Sequence, residues 1–318
     1  MCVRLKKDTF VAMKVCYPLV FAAVWLLSLL PLRVLYVLSD VLRLLVFHVV
    51  RYRRAVVHDN LCRSFPDRTA EEIARIEKDF YAWFCDYMVE TVKLCTISER
   101  EMRRRMRFTG VADMVHDLER GHRLFAFIFL AHYGNCEWVS SLTAYIQEEN
   151  PQVTGGQIYH PLRSKVADRL FLYMRSRFRG VNIPMKETLR YVLRQRQAGR
   201  PTIIGFIADQ NPKWNSIHHW TDFLHRKTPV FTGTEKIGKS VDALIYYAHV
   251  VRIRRGYYEC RITRLTDDVR QYRDFDVTDR YFRLLEQSIQ AQPAIWLWTH
   301  KRWKRTYEEF LERQRQAE

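Results

Sequence analysis

Residues 124–137 read LFAFIFLAHYGNCE, and the change of pattern inside this segment sets the class of fold for the rest of the chain. Leu124 to Leu130 is a short continuous apolar run, typical of a strand buried on both faces of a sheet. It ends in Ala131-His132-Tyr133-Gly134-Asn135, after which CEWVSSLTAYIQ resumes helical spacing, so the segment reads as strand, tight loop, helix. His132 and Glu137 are five residues apart. On one regular helix that separation would place them about 140° apart around the axis, out of each other's reach. The loop removes the obstacle. If His132 ends the strand and Asn135 caps the helix, Glu137 falls in the first turn and can fold back toward the imidazole. Gly134 lets the backbone turn without steric penalty, and the exposed N–H groups of a helix start favour negative charge nearby. A carboxylate bound to one ring nitrogen fixes the tautomer and raises the basicity of the other. Such a pair is general-base machinery, worth ~10²–10⁴-fold in rate. The competing reading is a helix-start histidine paired with a carboxylate for stability, because H-x4-E alone is a short pattern that recurs by chance.

Working outward, Thr202 to Ala208 (TIIGFIA) repeats the buried-strand pattern and ends in Asp209-Gln210-Asn211-Pro212. Asp209 there either shapes the site or caps its loop. Gln157-Ile158-Tyr159 is a weaker strand followed by a basic helical stretch through about Phe178. Ala243 to Ile253 and Tyr257 to Leu265, joined by Arg254-Arg255-Gly256, form a hairpin. A helix from about Asp279 to Gln290 and the aromatic run Ile295-Trp296-Leu297-Trp298, apolar enough for a buried strand, close the chain. Upstream, Thr69-Ala70-Glu71-Glu72 is a capping-box pattern. It opens a long helix with Ile73, Ile76, Phe80, Phe84 and Met88 as its core stripe. Strands interleaved with helices give an α/β class: a central mixed, mostly parallel β-sheet flanked by helices, with loops at the strand ends available for chemistry.

The 318 residues are 48% hydrophobic and 14% aromatic, which excludes a wholly disordered chain. Fifty-two Lys+Arg against 35 Asp+Glu leave a net charge of +17, so an anionic partner is expected: nucleic acid, a membrane surface, or an acidic substrate or carrier. Residues 1–60 hold nine Lys/Arg and three Asp/Glu, and residues 160–200 hold eleven and two, so these two regions carry most of the excess. Val15 to Leu32 is free of charge, with Pro18 and Pro31 shortening the usable helix, so a membrane span is marginal. Arg33, Tyr36, Asp40 and Arg43 then recur at helical spacing among Val and Leu through Val50, the pattern of a helix lying in a bilayer interface. Lys6, Lys7 and Lys14 before it, and Arg51, Arg53 and Arg54 after it, suit anionic headgroups. Residues 1–50 therefore read as N-terminal membrane-anchoring helices and residues 51–318 as the catalytic domain; two buried core helices are the alternative for the first region. The seven scattered cysteines, with no CxxC pair and no Cys/His cluster at zinc spacing, read as reduced thiols facing the cytosol.

Several blocks together resemble one family, the bacterial acyltransferases that add late, secondary acyl chains to lipid A, within the lysophospholipid-acyltransferase-like group. The blocks are the hydrophobic N-terminus; Arg53-Arg54 with Asn60-Leu61 and Phe65-Pro66; H-x4-E at His132 to Glu137; I-Y-x-P-L at Ile158 to Leu162; Ala208-Asp209-Gln210; and W-L-W-T-H-K-R-W-K from Trp296 to Lys304. The resemblance implies a glycerolipid-acyltransferase-like fold and an enzyme on the cytoplasmic face of the inner membrane. It would use acyl carrier protein thioesters with no cofactor and no metal. One departure stands out: where the family often has arginine before the proline of I-Y-x-P, this chain has His160, with Arg163 three positions on.

On this reading His132 takes the proton of an acceptor hydroxyl that attacks the acyl thioester, and Glu137 orients the imidazole. Asn135, His160, Arg163, Asp209, Lys301 and Arg302 are candidate substrate-binding residues, the basic ones for phosphate or carrier contacts. The acceptor is a lipid A precursor, another glycolipid or an amino-acid lipid. Cys136, beside the pair, raises a covalent thiol mechanism as a rival, which would need a thiolate held against a base. A nucleic-acid binder using Trp296, Trp298 and Trp303 is a third reading, unsupported by any recognised motif.

Overall fold

The computed structural model describes residues 17–316; Val15 and Cys16 of the apolar run, Cys2, and Lys6, Lys7 and Lys14 lie outside them. Nine strands follow in chain order: β1 (Met106–Thr109), β2 (Phe125–Leu130), β3 (Thr154–Tyr159), β4 (Val181–Pro184), β5 (Thr202–Ile207), β6 (Trp220–Phe223), β7 (Arg226–Pro229), β8 (Leu244–Arg254) and β9 (Tyr257–Thr266). Seven of them form one sheet in the order β1-β9-β8-β2-β5-β3-β4, and β6 and β7 pair separately. Every neighbouring pair in the large sheet is parallel except the β8–β9 hairpin. The sheet is therefore mixed and mostly parallel, with helices flanking it, as the alternation of apolar runs predicts. All six residues of β2 are buried, which is what a central strand covered on both faces requires.

Two expectations need correction. Ile295-Trp296-Leu297-Trp298 is not a strand: a 3₁₀ turn at Pro293–Ile295 leads into it, and its one sheet-like contact is an isolated bridge from Trp296 to Tyr133. In the long helix, Ile73, Ile76 and Phe80 are buried but Met88 is 41% exposed. The buried line passes instead through Cys85, Asp86, Val89 and Glu90, because two carboxylates on this face have partners elsewhere in the molecule.

The N-terminal region is a bent pair of helices, α1 (Tyr17–Leu29) and α2 (Leu32–Leu44), the second continued to Val49 by a π-helical turn. They meet at 113°, and among the described residues no single helix is long and apolar enough to cross a membrane. Pro31 stands immediately before α2 with an extended backbone, and lacking an N–H it cannot continue α1. Lys93 and Thr96 donate to the carbonyls left open at the end of α1, Lys93 to Ser28 and Leu30 and Thr96 to Ser28.

A third helix, α3 (Arg54–Ser64), leads to α4 (Ala70–Lys93). The capping box forms as the sequence predicts: the Glu72 N–H donates to Thr69 Oγ1 and the Thr69 N–H donates to Glu72 Oε2. α4 receives the polar line of α2. The Tyr36 hydroxyl donates to Glu90 Oε1 (2.9 Å), Ser39 Oγ donates to Asp86 Oδ1 (2.8 Å), and Asp40 pairs with Arg255 (2.9 Å). Asp86 also takes Arg252 and Arg255 from the hairpin. At the hairpin tip Gly256 has φ +71°, and a Cβ there would lie 1.9 Å from the Tyr36 hydroxyl. α2 turns Tyr36 and Ser39 inward beside Leu32 and Leu35 and exposes Val34, Val37, Leu38, Val41 and Leu44 next to Arg33 and Asp40, an unusually apolar outer face for a surface helix.

Asp86→Ala would leave the Arg252 guanidinium and the Ser39 hydroxyl without their carboxylate acceptor and Arg255 with Asp40 and the Tyr36 carbonyl alone. The expected cost is about 1.5–3 kcal/mol, read as a lower denaturation midpoint in detergent, with protease cleavage appearing first between residues 33 and 54. Unchanged cleavage in that segment would show that Asp86 does not hold α2.

Candidate functional site

β2 and β5 are adjacent, parallel and aligned so that Leu130 lies opposite Ile207. The Ala208 N–H continues the pairing to the Leu130 carbonyl. His132 and Asp209 are each two residues beyond that matched pair, and because side chains alternate along a strand, equal positions on aligned parallel strands emerge on the same side. Their side chains meet: His132 Nδ1 lies 2.7 Å from Asp209 Oδ1. Asp209 Oδ2 accepts the His132 backbone N–H (3.1 Å) and the Trp296 indole N–H (2.8 Å).

Burial of the Asp209 carboxyl alone would raise its pKa, but the His132 charge and these three donors hold it below the ordinary range. Burial likewise works against a charged His132, and the attraction of Asp209 outweighs it, so the imidazole pKa is raised above its usual value. The carboxylate takes the proton on Nδ1 and leaves the lone pair on Nε2. The side-chain amide nitrogen of Gln210 sits 3.3 Å from that Nε2, as a donor to a lone pair would. The His132 side chain remains 25% exposed, enough for a substrate hydroxyl to reach it. A narrow cavity of ≈ 10 Å³ beside it, lined by Trp83, Tyr87, Gly134, Cys136 and Leu297, has room for about one water.

Glu137 is placed differently from the sequence reading. It is buried, and its two oxygens accept Arg175 Nε (2.7 Å) and Nη2 (2.6 Å) in a bidentate pair. The bond to the imidazole that the H-x4-E spacing assigned to Glu137 is made by Asp209 instead. The reason lies in the loop. Gly134 has φ +64°, with the Val250 side chain where a Cβ would stand, and Asn135 Oδ1 accepts the Trp138 N–H. Glu137 thus precedes a 3₁₀ turn at Trp138–Ser141 and faces the helix Lys165–Ser176 that carries Arg175.

Asn135 caps that turn, as expected, but it is completely buried and its amide nitrogen donates to Glu90 Oε2 (2.7 Å). It is a structural residue of the loop and has no free polar atom for a substrate. Glu90 also takes the hydroxyls of Tyr36 and Tyr258, and burial together with Asp86 nearby pushes its carboxyl up to about 7. Cys136 lies against Tyr87, 3.5 Å from its hydroxyl, and burial with Glu137 nearby pushes its thiol up to about 12, so no thiolate stands ready for covalent chemistry.

The remaining candidates divide. His160 and Arg163 are exposed on the loop after β3, and Lys301 is exposed on the C-terminal segment. Arg302 is completely buried, donates to the Pro229 carbonyl and lies over the Phe282 ring, so a phosphate or carrier contact at the surface is closed to it. Sequence reasoning placed Arg175 only within a charge cluster, and Trp296 in an apolar run, a closing motif block and a stacking surface, not against Asp209. The position of Asp209, at the end of the second buried strand, was the available sign of the true partner of His132. Among the described residues no group of three or more His, Cys, Asp or Glu could hold a metal.

A family model described as bacterial lipid A biosynthesis acyltransferase matches residues 6–305. No curated protein matches the chain.

In the folded protein, Cys62, which is exposed, is expected to react with a small maleimide at neutral pH. Cys136 should react only after denaturation, and peptide mass spectrometry distinguishes the two. Rapid labelling of Cys136 in the native state would reopen the covalent route.

Proposed function

Since the chain belongs to the bacterial lipid A biosynthesis acyltransferase family and is an acyltransferase, we propose that it moves a fatty acyl chain from an acyl carrier protein thioester to a hydroxyl of a lipid A precursor, with His132 as general base. The observation that carries this reading is the imidazole itself, held at Nδ1 by a buried carboxylate, partly exposed, and bearing at Nε2 a lone pair that the Gln210 amide touches. Nε2 takes the hydroxyl proton as the oxygen attacks the thioester carbonyl. The C–S bond then breaks, the new ester C–O bond remains, and the proton passes to the departing thiolate. Asp209 fixes the tautomer and stabilises the imidazolium. The charges of Glu137 and Arg175 both reach His132, and the guanidinium, held in place by Glu137, is the nearby cation available to a developing oxyanion. Gln210 occupies the base nitrogen until an acceptor hydroxyl displaces it.

The outward apolar faces of α1 and α2 support attachment to an anionic phospholipid surface, the cytoplasmic face of the inner membrane. Leu26, Val37, Val41 and Val49 are each more than half exposed, and water is an unfavourable solvent for so continuous a patch. On this reading the bent pair lies in the interface, its outward residues among headgroups and upper acyl chains.

Purified protein given a fatty acyl–carrier thioester and a lipid A precursor should add one acyl chain, visible by mass spectrometry. His132→Ala is expected to lower kcat about 10²–10⁴-fold; wild-type turnover would eliminate it as the base. A general base works only when neutral, and the His132 pKa is raised, so the acid limb of kcat/KM should lie above the ordinary imidazole value of about 6.5. Asp209→Asn removes the attraction that raises it and leaves burial, which lowers it. The limb should then move to lower pH as the rate falls, and a limb that stays put would rule out Asp209 as the partner.

Binding to vesicles of phosphatidylglycerol and phosphatidylethanolamine should weaken about tenfold or more in Val37→Asp/Val41→Asp, because two charges replace buried apolar area. Equal binding by the variant would place the membrane contact elsewhere.

A further inference from the structure

A cavity of ≈ 640 Å³ opens between α3, the β6–β7 turn and the segment after Trp298, within the range of ligand sites. Arg226, Lys301, Lys304 and Arg305 line it, and none of the four has a carboxylate partner among the described residues. The other charges on its wall are largely spent: Arg63 pairs with Asp59 and Lys227 with Asp222, leaving Glu308 as the one lining carboxylate outside an ion pair among the described residues. Arg226 is fixed rather than mobile. It lies flat over the Trp303 ring at 3.3 Å and donates to the Asn60 carbonyl and Ser64 Oγ, while its buried Nε has no partner among the described residues. Burial and the neighbouring Arg305 and Lys301 depress the Lys304 ammonium, the mark of cations gathered without an anion.

The cavity is tied to His132 by short chain. The Leu297 N–H donates to the His132 carbonyl, and Lys301 is four residues on, at most about 14 Å away along an extended backbone. On the other side Gln210 touches His132 Nε2, and the next residue, Asn211, accepts from Arg305 (3.3 Å). Asn60, which also lines the cavity, clamps the connecting segment through the carbonyls of Trp298 and His300.

The geometry points to this cavity as the seat of a phosphomonoester on the acceptor lipid, holding the sugar so that its hydroxyl meets His132. The inference rests on the acyl-transfer reading and deepens it. A concave, cation-lined space suits a compact phosphate better than the convex surface of a folded acidic carrier, and a tether of at most about 14 Å keeps the cavity within reach of the headgroup whose hydroxyl meets His132.

Binding measured on the His132→Ala protein in detergent, where no turnover intervenes, uses two probes: a lipid A precursor bearing its phosphates and the same lipid after phosphatase treatment. The phosphorylated probe should bind more tightly, and Lys301→Ala/Lys304→Ala should weaken it about tenfold or more while leaving the dephosphorylated probe unchanged. In the otherwise wild-type enzyme the same double change should raise the acceptor KM and spare kcat. Equal weakening of both probes, or a rise confined to the KM of the carrier-bound donor, would overturn the assignment, the latter marking the cavity as a carrier dock. Selective phosphate binding without acyl transfer by wild-type protein would refute the proposed reaction and leave the phosphate site standing.

Discussion

Everything at the site depends on the alignment of two neighbouring parallel strands. With Leu130 opposite Ile207, the first residues to turn out of the sheet on that side after each strand are a histidine and an aspartate, and their contact needs no further adjustment. A shift of one residue in either strand would send one of the two to the opposite face. The alignment is guarded by burial, since every β2 side chain and most of β5 sit in the core. It is also locked beyond the strand ends by Trp296, whose indole reaches across to Asp209. An aromatic run that reads as a strand therefore serves as a brace between the loops that carry His132 and Asp209.

The second organising feature is a pair of buried carboxylates one helical turn apart on α4. Asp86 and Glu90 accept from α2, from the β8–β9 hairpin and, through Asn135, from the loop that follows His132. Buried charges are tolerated only when paired and hydrogen-bonded, and each of these has three or more donors. The N-terminal helices and the loop after His132 thus share one polar cluster. Its members come from parts of the chain far apart in sequence.

This separation explains what sequence could and could not disclose. Buried strands declare themselves through uninterrupted apolar runs, and β2, β5 and the hairpin were legible for that reason. The short strands β1, β4, β6 and β7 carry four residues each and too little pattern to register. His132 was legible because it ends such a run, and the Thr69 cap because its donors and acceptors are local. The partner of His132 was not, because proximity in sequence favoured Glu137 over a residue on another strand. Arg175 was hidden among the arginines around it. The polar stripe of α2 was visible, but its partners were not: hydrophobic patterning is blind to whether Tyr36 and Ser39 face water or the buried carboxylates of another helix.

The apolar outer face of α2 bears on how the protein comes to the bilayer. Before folding, the α2 segment carries Arg33, Asp40 and Arg43 among its apolar residues, and lipid would have to strip water from each. Only after Asp40 has found Arg255, and Tyr36 and Ser39 have found α4, are these polar groups partnered and the line Val34, Val37, Val41 and Leu44 presented on an ordered face. Attachment on the proposed reading is then a property of the finished fold rather than of a detachable leader. A copy whose sheet has failed to assemble lacks the docked face, so the surface where the lipid substrate resides would be populated selectively by competent enzyme.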